Sequence, residues 1–288
     1  MPEEWWRKWM PWLEAILAVV IWLGSVALLL FVPLVLAIPY FVYLAINGGF
    51  PRADAIVTDK VLIVLSVVGT ILAHVVTIGL LWFYVPGEGF KGLARKIGFQ
   101  WPRNISPLIC TLLSSLIAFV LLGIGVAITH FGGGEKTQLD LMVESSMTAR
   151  FATALAAFAT APLVEEVIYR GVVYSAFERA AGVTISVILV SLLFAGVHVA
   201  QYSNNISVIL VITLLSITLT LARAYTGSLI PPFIIHLVFN GIQSLVLVVT
   251  PFLDKSIFKS DEVAPTAPGF EIAFHLLEKI SVYLCRMT

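Results

Sequence analysis

The segment LVEEVIYRGVVY, residues 163–174, holds three charged side chains within a stretch that is otherwise apolar. A charged residue at the centre of a membrane helix costs about 3 kcal/mol on insertion scales, so Glu165, Glu166 and Arg170 call for a chemical explanation. On an α-helix Glu166 and Arg170 lie one turn apart on the same face, whereas Glu165 points about 100° away from Glu166. We therefore expect Arg170 to pair with Glu166, leaving Glu165 available for acid–base chemistry.

Two later apolar segments each carry a pair of residues spaced four apart. SLLFAGVHVAQ contains Phe194 and His198, and PPFIIHLVFNG contains His236 and Asn240. Residues four apart share one face of a helix. The spacing predicts that Glu165, His198, His236 and Asn240, contributed by three helices, converge on a single cavity.

Each of these residues also has a purely structural interpretation. A lone histidine in a membrane span often only forms a hydrogen bond between helices, the Glu-Glu-Arg group can be a buried ion pair, and Phe194 alone would be core packing. His74, in ILAHVVTIG, has no other ionisable residue in its own predicted span. We expect His74 to be structural.

Absent motifs narrow the chemistry further. No aspartate falls within a predicted span, which argues against an aspartyl intramembrane protease, and none of the five histidines begins an HExxH zinc-protease motif. The segment TGSL at 226–229 lacks the GxSG pattern of a rhomboid serine site. The remaining set, a carboxylate with histidines, suits the activation of water better than a covalent nucleophile.

The composition is that of a polytopic membrane protein. Of 288 residues, 59% are hydrophobic and only 12% are charged, and the mean hydropathy is +1.00. Seventeen basic and 17 acidic residues leave no net charge, which excludes a broad basic surface for nucleic acid. Cys110 and Cys285 show neither zinc spacing nor a disulfide framework.

Apolar runs of about 20 residues predict an all-α polytopic bundle of seven transmembrane helices, at 12–46, 61–85, 106–130, 148–176, 183–203, 205–223 and 228–250. Pro33 and Pro39 could kink or divide the first run and so raise the number to eight. We expect a single membrane domain over 1–288. It comprises N-terminal helices over 1–147, a core over 148–250 with an internal cavity, and an amphipathic tail over 251–288 that lies on the membrane surface.

The distribution of basic residues predicts a multi-pass protein of the cell membrane with a cytoplasmic N-terminus. In a seven-span model one side carries more Lys and Arg than the other. The richer side holds Arg7, Lys8, Lys91, Arg95, Lys96, Arg103, Arg179 and Arg223, and the other holds Arg52, Lys60, Lys136 and Arg150.

Three short motifs, in order on successive apolar segments, resemble those of one known family. EEVIYR matches EExxxR, FAGVH matches FxxxH and HLVFN matches HxxxN. Together they are similar to the CAAX prenyl protease and bacteriocin-processing (CPBP, or Abi) family of intramembrane proteases. The resemblance extends from Pro162 to about Leu247.

The resemblance implies a helical membrane bundle with a conical internal cavity in which a peptide bond is hydrolysed. By motif position Glu165 is the catalytic glutamate, His198 assists it in activating water, and His236 with Asn240 stabilises the oxyanion. The remaining motif positions are expected to be supporting residues: Glu166, Arg170 and Phe194.

Cofactor and partners remain open at this point. Members of the family have often been described as metalloproteases, and Glu165, His198 and His236 are a workable zinc set. Asn240 is a poor zinc ligand but a good oxyanion donor, which favours a reaction without metal. The expected partners are the lipid bilayer and a peptide or membrane-protein substrate, with lipidated substrates included. The alternatives are a non-catalytic binding or immunity protein of the same fold and a proton-coupled transporter.

Overall fold

The computed structural model describes residues 2–49, 53–83, 89–133, 137–202 and 205–252. Within these ranges the regular structure is helical. Residues 253–288, nearly all of the predicted amphipathic tail, lie outside the described part. The helices are α1 (Pro2–Asn47), α2 (Ala53–Ile56), α3 (Lys60–Phe83), α4 (Gly89–Ile97), α5 (Pro107–Gly132), α6 (Gln138–Glu144), α7 (Met147–Ala181), α8 (Val183–Tyr202), α9 (Ile206–Thr226) and α10 (Ile230–Val249).

Six of the described helices are long and apolar enough to cross a membrane: α1, α3, α5, α7, α9 and α10. In α8 the continuous apolar part, Val183–Val199, is shorter. Large apolar side chains are exposed along the outer faces of these helices, among them Leu112, Leu116 and Phe119 of α5, as expected of surfaces that contact lipid. The prediction of an all-α polytopic bundle is confirmed, and the chain is a multi-pass membrane protein.

Helix α1 is one continuous helix, although it contains Pro11, Pro33 and Pro39. The eighth helix considered from the sequence is therefore not present here. Helix α3 packs along α1, and the two come closest where Gly69 meets Pro33. A Cβ atom at Gly69 would lie 2.5 Å from the Cα of Pro33, so only glycine permits this approach.

Helix α7 is interrupted by two π-helical segments, Ala156–Thr160 and Glu166–Val173. In a π-helix the hydrogen bonds run from residue i to i+5, and such segments are frequent at functional sites. The sequence predicts one helix over 148–176, which the continuous span Met147–Ala181 matches, but it does not predict the two π-helical segments within it. The second π-segment includes Glu166 and Arg170 and begins directly after Glu165.

Contacts between helix ends define one end of the bundle. The backbone N–H of Leu229, between α9 and α10, donates to the carbonyl of Gly98 at the end of α4 (2.9 Å). Arg179, near the end of α7, forms an ion pair with Glu14 in the first part of α1 (2.6 Å). Helix α9 ends at Gly227, whose φ of 62° is in the left-handed region that favours glycine. These contacts are expected if the N-terminus, the α3–α5 connection, the end of α7 and the α9–α10 connection all lie on one side of the membrane.

Candidate active site

A cavity of about 860 Å³ lies within the bundle, lined by side chains from α1, α3 and the helices from α6 to α10. Glu165 of α7, His198 of α8, and His236 with Asn240 of α10 all line it. The structure thus brings together, in a single cavity, the four side chains that the motif spacing placed on three separate helices.

The two adjacent glutamates have different surroundings. The side chain of Glu165 is 23% exposed, and its Oε2 lies 3.7 Å from Nε2 of His236. Glu166 is completely buried, and its Oε1 accepts a hydrogen bond of 3.0 Å from Nη1 of Arg170, which is also completely buried. The Glu166–Arg170 pair expected from the sequence is present, and Glu165 is the carboxylate with access to the cavity.

Arg170 is held by a set of donors and acceptors that we call the arginine network: Glu166, Arg170, Ser216 and Thr220. Nη2 of Arg170 donates to the hydroxyl (2.8 Å) and the carbonyl (3.1 Å) of Ser216, and Nε donates to the hydroxyl of Thr220 (3.3 Å). Sequence reasoning missed both α9 residues. The available signal was a pair of hydroxyls one turn apart on one face of α9, and it is weak because α9 contains other hydroxyl residues.

His236 connects the arginine network to the cavity. Its Nδ1 lies 2.8 Å from Oε1 of Glu166, and since a carboxylate accepts, Nδ1 carries the proton and donates. This bond fixes the imidazole so that Nε2 is the nitrogen nearer Glu165. Nothing in the motif spacing predicted this contact, because it joins α7 to α10 across 70 residues of sequence.

His198 is oriented in a comparable way by its own helix. Its Nδ1 lies 2.7 Å from the backbone carbonyl of Phe194, so Nδ1–H donates and Nε2 is free in the neutral ring. The buried Phe194 ring lies 4.7 Å from the His198 ring, 6.0 Å from the His236 ring and 4.6 Å from the Arg170 guanidinium carbon. Phe194 therefore contacts the two histidines and the arginine network together.

Asn240 is positioned by the first π-segment of α7. Its side-chain amide donates to the carbonyl of Ala157 (3.1 Å). One turn of α10 separates Asn240 from His236, so both face the same cavity. An amide NH₂ has two hydrogens, and the second is left for a further acceptor.

Helix α3 contributes a wall of the cavity that the sequence did not predict. His74 lies there, with Nδ1 2.9 Å from the hydroxyl of Thr160. Because Thr160 gives its own proton to the carbonyl of Ala156 (3.3 Å), His74 is the donor in this bond. His74 also lines the same cavity as Glu165. The bond to Thr160 is an interhelical contact of the kind expected for a structural histidine. The sequence did not predict that His74 would also lie on the cavity wall.

The zinc set considered from the sequence does not fit this geometry. Structural and catalytic zinc sites need at least three protein ligands within about 2 Å of the metal. Within the described ranges no three His, Cys, Asp or Glu side chains are grouped closely enough to hold a metal ion. Glu165 and His236 approach each other, but His198 does not complete a third position with them.

The comparisons with known proteins agree with the motif resemblance. Residues 147–242 match the family model "Type II CAAX prenyl endopeptidase Rce1-like". A curated Escherichia coli protein described as an "Uncharacterized 24.3 kDa protein" is 25% identical over 172 residues, which cover 59% of this chain and 74% of that protein. No solved structure matches the chain significantly. The match over residues 147–242, one third of the chain, agrees with the family that the three motifs predicted, the Rce1-like type II CAAX prenyl endopeptidases.

Proposed function

We propose that this protein is an intramembrane endopeptidase in which Glu165 activates water for attack on a peptide bond. The observation that supports this best is the contrast between the two glutamates. Glu166 is buried and hydrogen-bonded to Arg170 and His236, while Glu165 is accessible from the cavity beside His236. A base must be able to reach the water that it deprotonates, and only Glu165 meets that condition.

In the proposed reaction, Glu165 takes a proton from water while the water oxygen bonds to the carbonyl carbon of the substrate. The Nε2 of His198, which carries no proton when Nδ1 donates to Phe194, accepts a hydrogen bond from the other O–H of that water and so orients it, and this hydrogen stays on the attacking oxygen. When the tetrahedral intermediate collapses, the C–N bond breaks and Glu165 returns its proton to the leaving amine. The products are a carboxylic acid and an amine, so the atoms of one water molecule are accounted for.

His236 and Asn240 are the proposed donors to the oxyanion. In this role His236 carries a proton on both ring nitrogens, donating from Nδ1 to Glu166 and from Nε2 to the oxyanion. Its charge then offsets that of Glu165, while Arg170 offsets that of Glu166. Asn240 donates its second N–H, since the first is held by Ala157. Donors fixed in advance, in a site of low dielectric, stabilise developing charge most effectively.

We infer that the reaction uses no metal and that the substrate is a peptide or membrane protein, CAAX-type lipidated C-termini included. The donor geometry supports the first point and the family supports the second. The side of the cavity formed by α1, at Val26, Leu29 and Leu30, is apolar and suits a lipidated or apolar segment. We further propose location in the cell membrane with a cytoplasmic N-terminus, on the basis of the Lys and Arg distribution.

The test is cleavage of a peptide panel, including prenylated C-terminal peptides, by the purified wild-type protein and by Glu165→Gln. The variant is nearly isosteric, so we expect it to fold normally and to lose about 10³-fold or more of kcat/KM, within the range of general acid–base contributions. Glu14→Gln is the matched control, since it neutralises an exposed glutamate in the first part of α1, outside the cavity lining, and should cleave as wild type does.

A strong chelator should leave the wild-type rate unchanged. Chelator-sensitive cleavage that zinc restores would contradict the metal-free proposal, while leaving the peptidase activity itself established. Retained cleavage by Glu165→Gln would contradict the role of Glu165. Wild-type protein that cleaves nothing in the panel would favour the non-catalytic binding protein of the same fold.

A further inference from the structure

Four polar residues form one face of α3, which we call the polar face of α3: Ser66, Thr70, His74 and Thr77. Their spacing of four, four and three residues places them along a single side of the helix. All four line the cavity that contains Glu165. The rest of α3 is almost entirely apolar, so the polar groups of this span are concentrated where the cavity lies.

The hydroxyls of this face form no hydrogen bond within the described part of the chain. Ser66, Thr70 and Thr77 have no hydrogen-bond partner among the described residues, although the helix carbonyl four residues earlier is the usual acceptor for a hydroxyl in an apolar helix. Many hydroxyls in other spans follow that usual pattern and donate to their own helix, among them Thr111, Thr213, Thr218, Thr220 and Thr226. The hydroxyls of Thr153 and Ser191 are exceptions, because they are buried without a partner among the described residues.

The spacing of the face matches an extended peptide. Residues four apart on an α-helix are separated by about 6 Å along its axis. Main-chain groups on one side of an extended chain recur every second residue, about 6.6 Å apart. Ser66, Thr70 and His74 therefore lie at nearly the repeat of successive N–H or C=O groups of a chain running along α3.

A peptide bound inside a membrane protein also needs hydrogen-bond partners for its main-chain N–H and C=O groups. A backbone N–H or C=O that leaves water without gaining a partner costs several kcal/mol at membrane depth. The α1 side of the cavity lining is apolar except for Ser25, whose hydroxyl already donates to the carbonyl of Trp22. In the polar face of α3 the hydroxyls of Ser66 and Thr70 are accessible, whereas Thr77 is buried. The imidazole of His74 is held in place by Thr160.

We propose that the polar face of α3 is the substrate-binding wall of the cavity, where it hydrogen-bonds the main chain of an extended peptide next to Glu165. This inference rests on the proposed peptidase function and extends it. Since the contacts are made to the main chain, they bind peptides irrespective of side-chain sequence, and selectivity for sequence arises elsewhere in the cavity.

The first test measures KM and kcat for Thr70→Val and Ser66→Ala, which remove a hydroxyl with little change in shape. Loss of one hydrogen bond made equally in the bound and transition states raises KM by roughly three- to tenfold and leaves kcat nearly unchanged. Thr70→Ser should restore the wild-type KM. The matched controls, Thr111→Val and Thr218→Val, remove hydroxyls that bond to their own helices outside the cavity and should leave KM unchanged.

The second test identifies the peptide group that is bound. Peptides methylated at single backbone nitrogens are compared between wild type and Thr70→Val. At the position that faces Thr70 the effects of methylation and mutation should not add, because each removes the same hydrogen bond. Additive effects at every position, or a Thr70→Val effect that varies with the side chains of the peptide, would overturn the inference.

A binding measurement separates this inference from the proposed function. Fluorescence anisotropy of a labelled prenylated C-terminal peptide is recorded with Glu165→Gln protein, with and without Thr70→Val. Weaker binding in the double variant supports the binding wall even if wild type cleaves nothing, in which case only the peptidase proposal fails. Equal binding, or no binding to either protein, overturns the binding wall whether or not cleavage occurs.

Discussion

The arginine network and the cavity beside it meet at neighbouring residues of α7, yet Arg170 in the network and the hydroxyls of the cavity wall differ in how completely they are paired. In the network, Arg170 uses Nε, Nη1 and Nη2 in hydrogen bonds to three buried residues. In the cavity, Glu165 is partly exposed, and Ser66, Thr70 and Thr77 have no partner among the described residues. Paired groups hold the helices together, whereas unpaired groups remain available to a substrate.

The boundary between the two regions runs between consecutive residues. Glu165 precedes the second π-segment and Glu166 begins it, so a local change in backbone geometry accompanies the change of environment. His236 bridges the boundary, with Nδ1 bonded to the network and Nε2 facing Glu165. We conclude that the buried ion pair supports the cavity by fixing this imidazole.

The largest expected effect comes from breaking the network. Arg170→Met leaves Glu166 buried without its counter-charge, which typically costs 3–5 kcal/mol, about the range observed for broken buried pairs. We expect a large fall in the thermal unfolding midpoint of the detergent-solubilised protein. Arg179→Met is the matched control, because that pair with Glu14 is exposed and worth at most about 1 kcal/mol.

A double variant sharpens this prediction. Glu166→Gln combined with Arg170→Met removes both charges but keeps an oxygen that can accept from His236. The double variant should unfold at a higher temperature than Arg170→Met alone. If the two substitutions instead destabilise additively, the charges of Glu166 and Arg170 are not coupled, and the network does not have the role assigned to it.

The next effect is expected on the cavity side, at Asn240. Asn240→Leu keeps the size of the side chain but removes both the bond to Ala157 and the proposed oxyanion donor. Removing one oxyanion donor lowers kcat by about 10²–10³-fold, with KM changed much less. Gln243→Leu, also in α10, removes a comparable amide that donates to Phe239 and should have a smaller effect on kcat. Equal effects of the two would argue against an oxyanion role for Asn240.

The smallest expected effect is at the edge of the network. Ser216→Ala removes one hydroxyl acceptor of Arg170 but leaves the backbone carbonyl of Ser216 and the hydroxyl of Thr220 in place. We expect a loss of about 1 kcal/mol of stability, read as a small fall in the unfolding midpoint, with cleavage retained. A loss of cleavage without a loss of stability would mean that the two regions are more closely coupled than the hydrogen bonds indicate.

The sequence predicted the helical bundle and the convergence of four side chains because both depend on local pattern. Apolar run length locates spans, and a spacing of four places His236 and Asn240 on one face of α10. The π-segments of α7 were not predictable in this way, because the pattern of apolar residues is read with α-helical geometry. The contact of His236 with Glu166 depends on how two helices that are distant in sequence pack together. Residue spacing within one helix carries no information about that packing.

His74 also shows that the sequence of one helix does not reveal what that helix packs against. As the only ionisable residue of its predicted span it was assigned a structural role, and the bond to Thr160 is consistent with that role. Whether a helix face meets lipid, another helix or a cavity depends on the whole bundle. The row of Ser66, Thr70, His74 and Thr77 is apparent in the sequence, but its role depends on what this face of α3 meets in the folded bundle.

The length of α1 links the protein to the thickness of its membrane. The apolar part of α1, Trp9–Asn47, has 39 residues, which at 1.5 Å per residue extend over roughly 58 Å, almost twice the hydrocarbon thickness of about 30 Å. Such a mismatch is accommodated by steep tilting or by local deformation of the bilayer. Since α1 also forms one wall of the cavity, at Val26 and Leu29, we expect acyl-chain length of the surrounding lipid to set how widely that wall stands open.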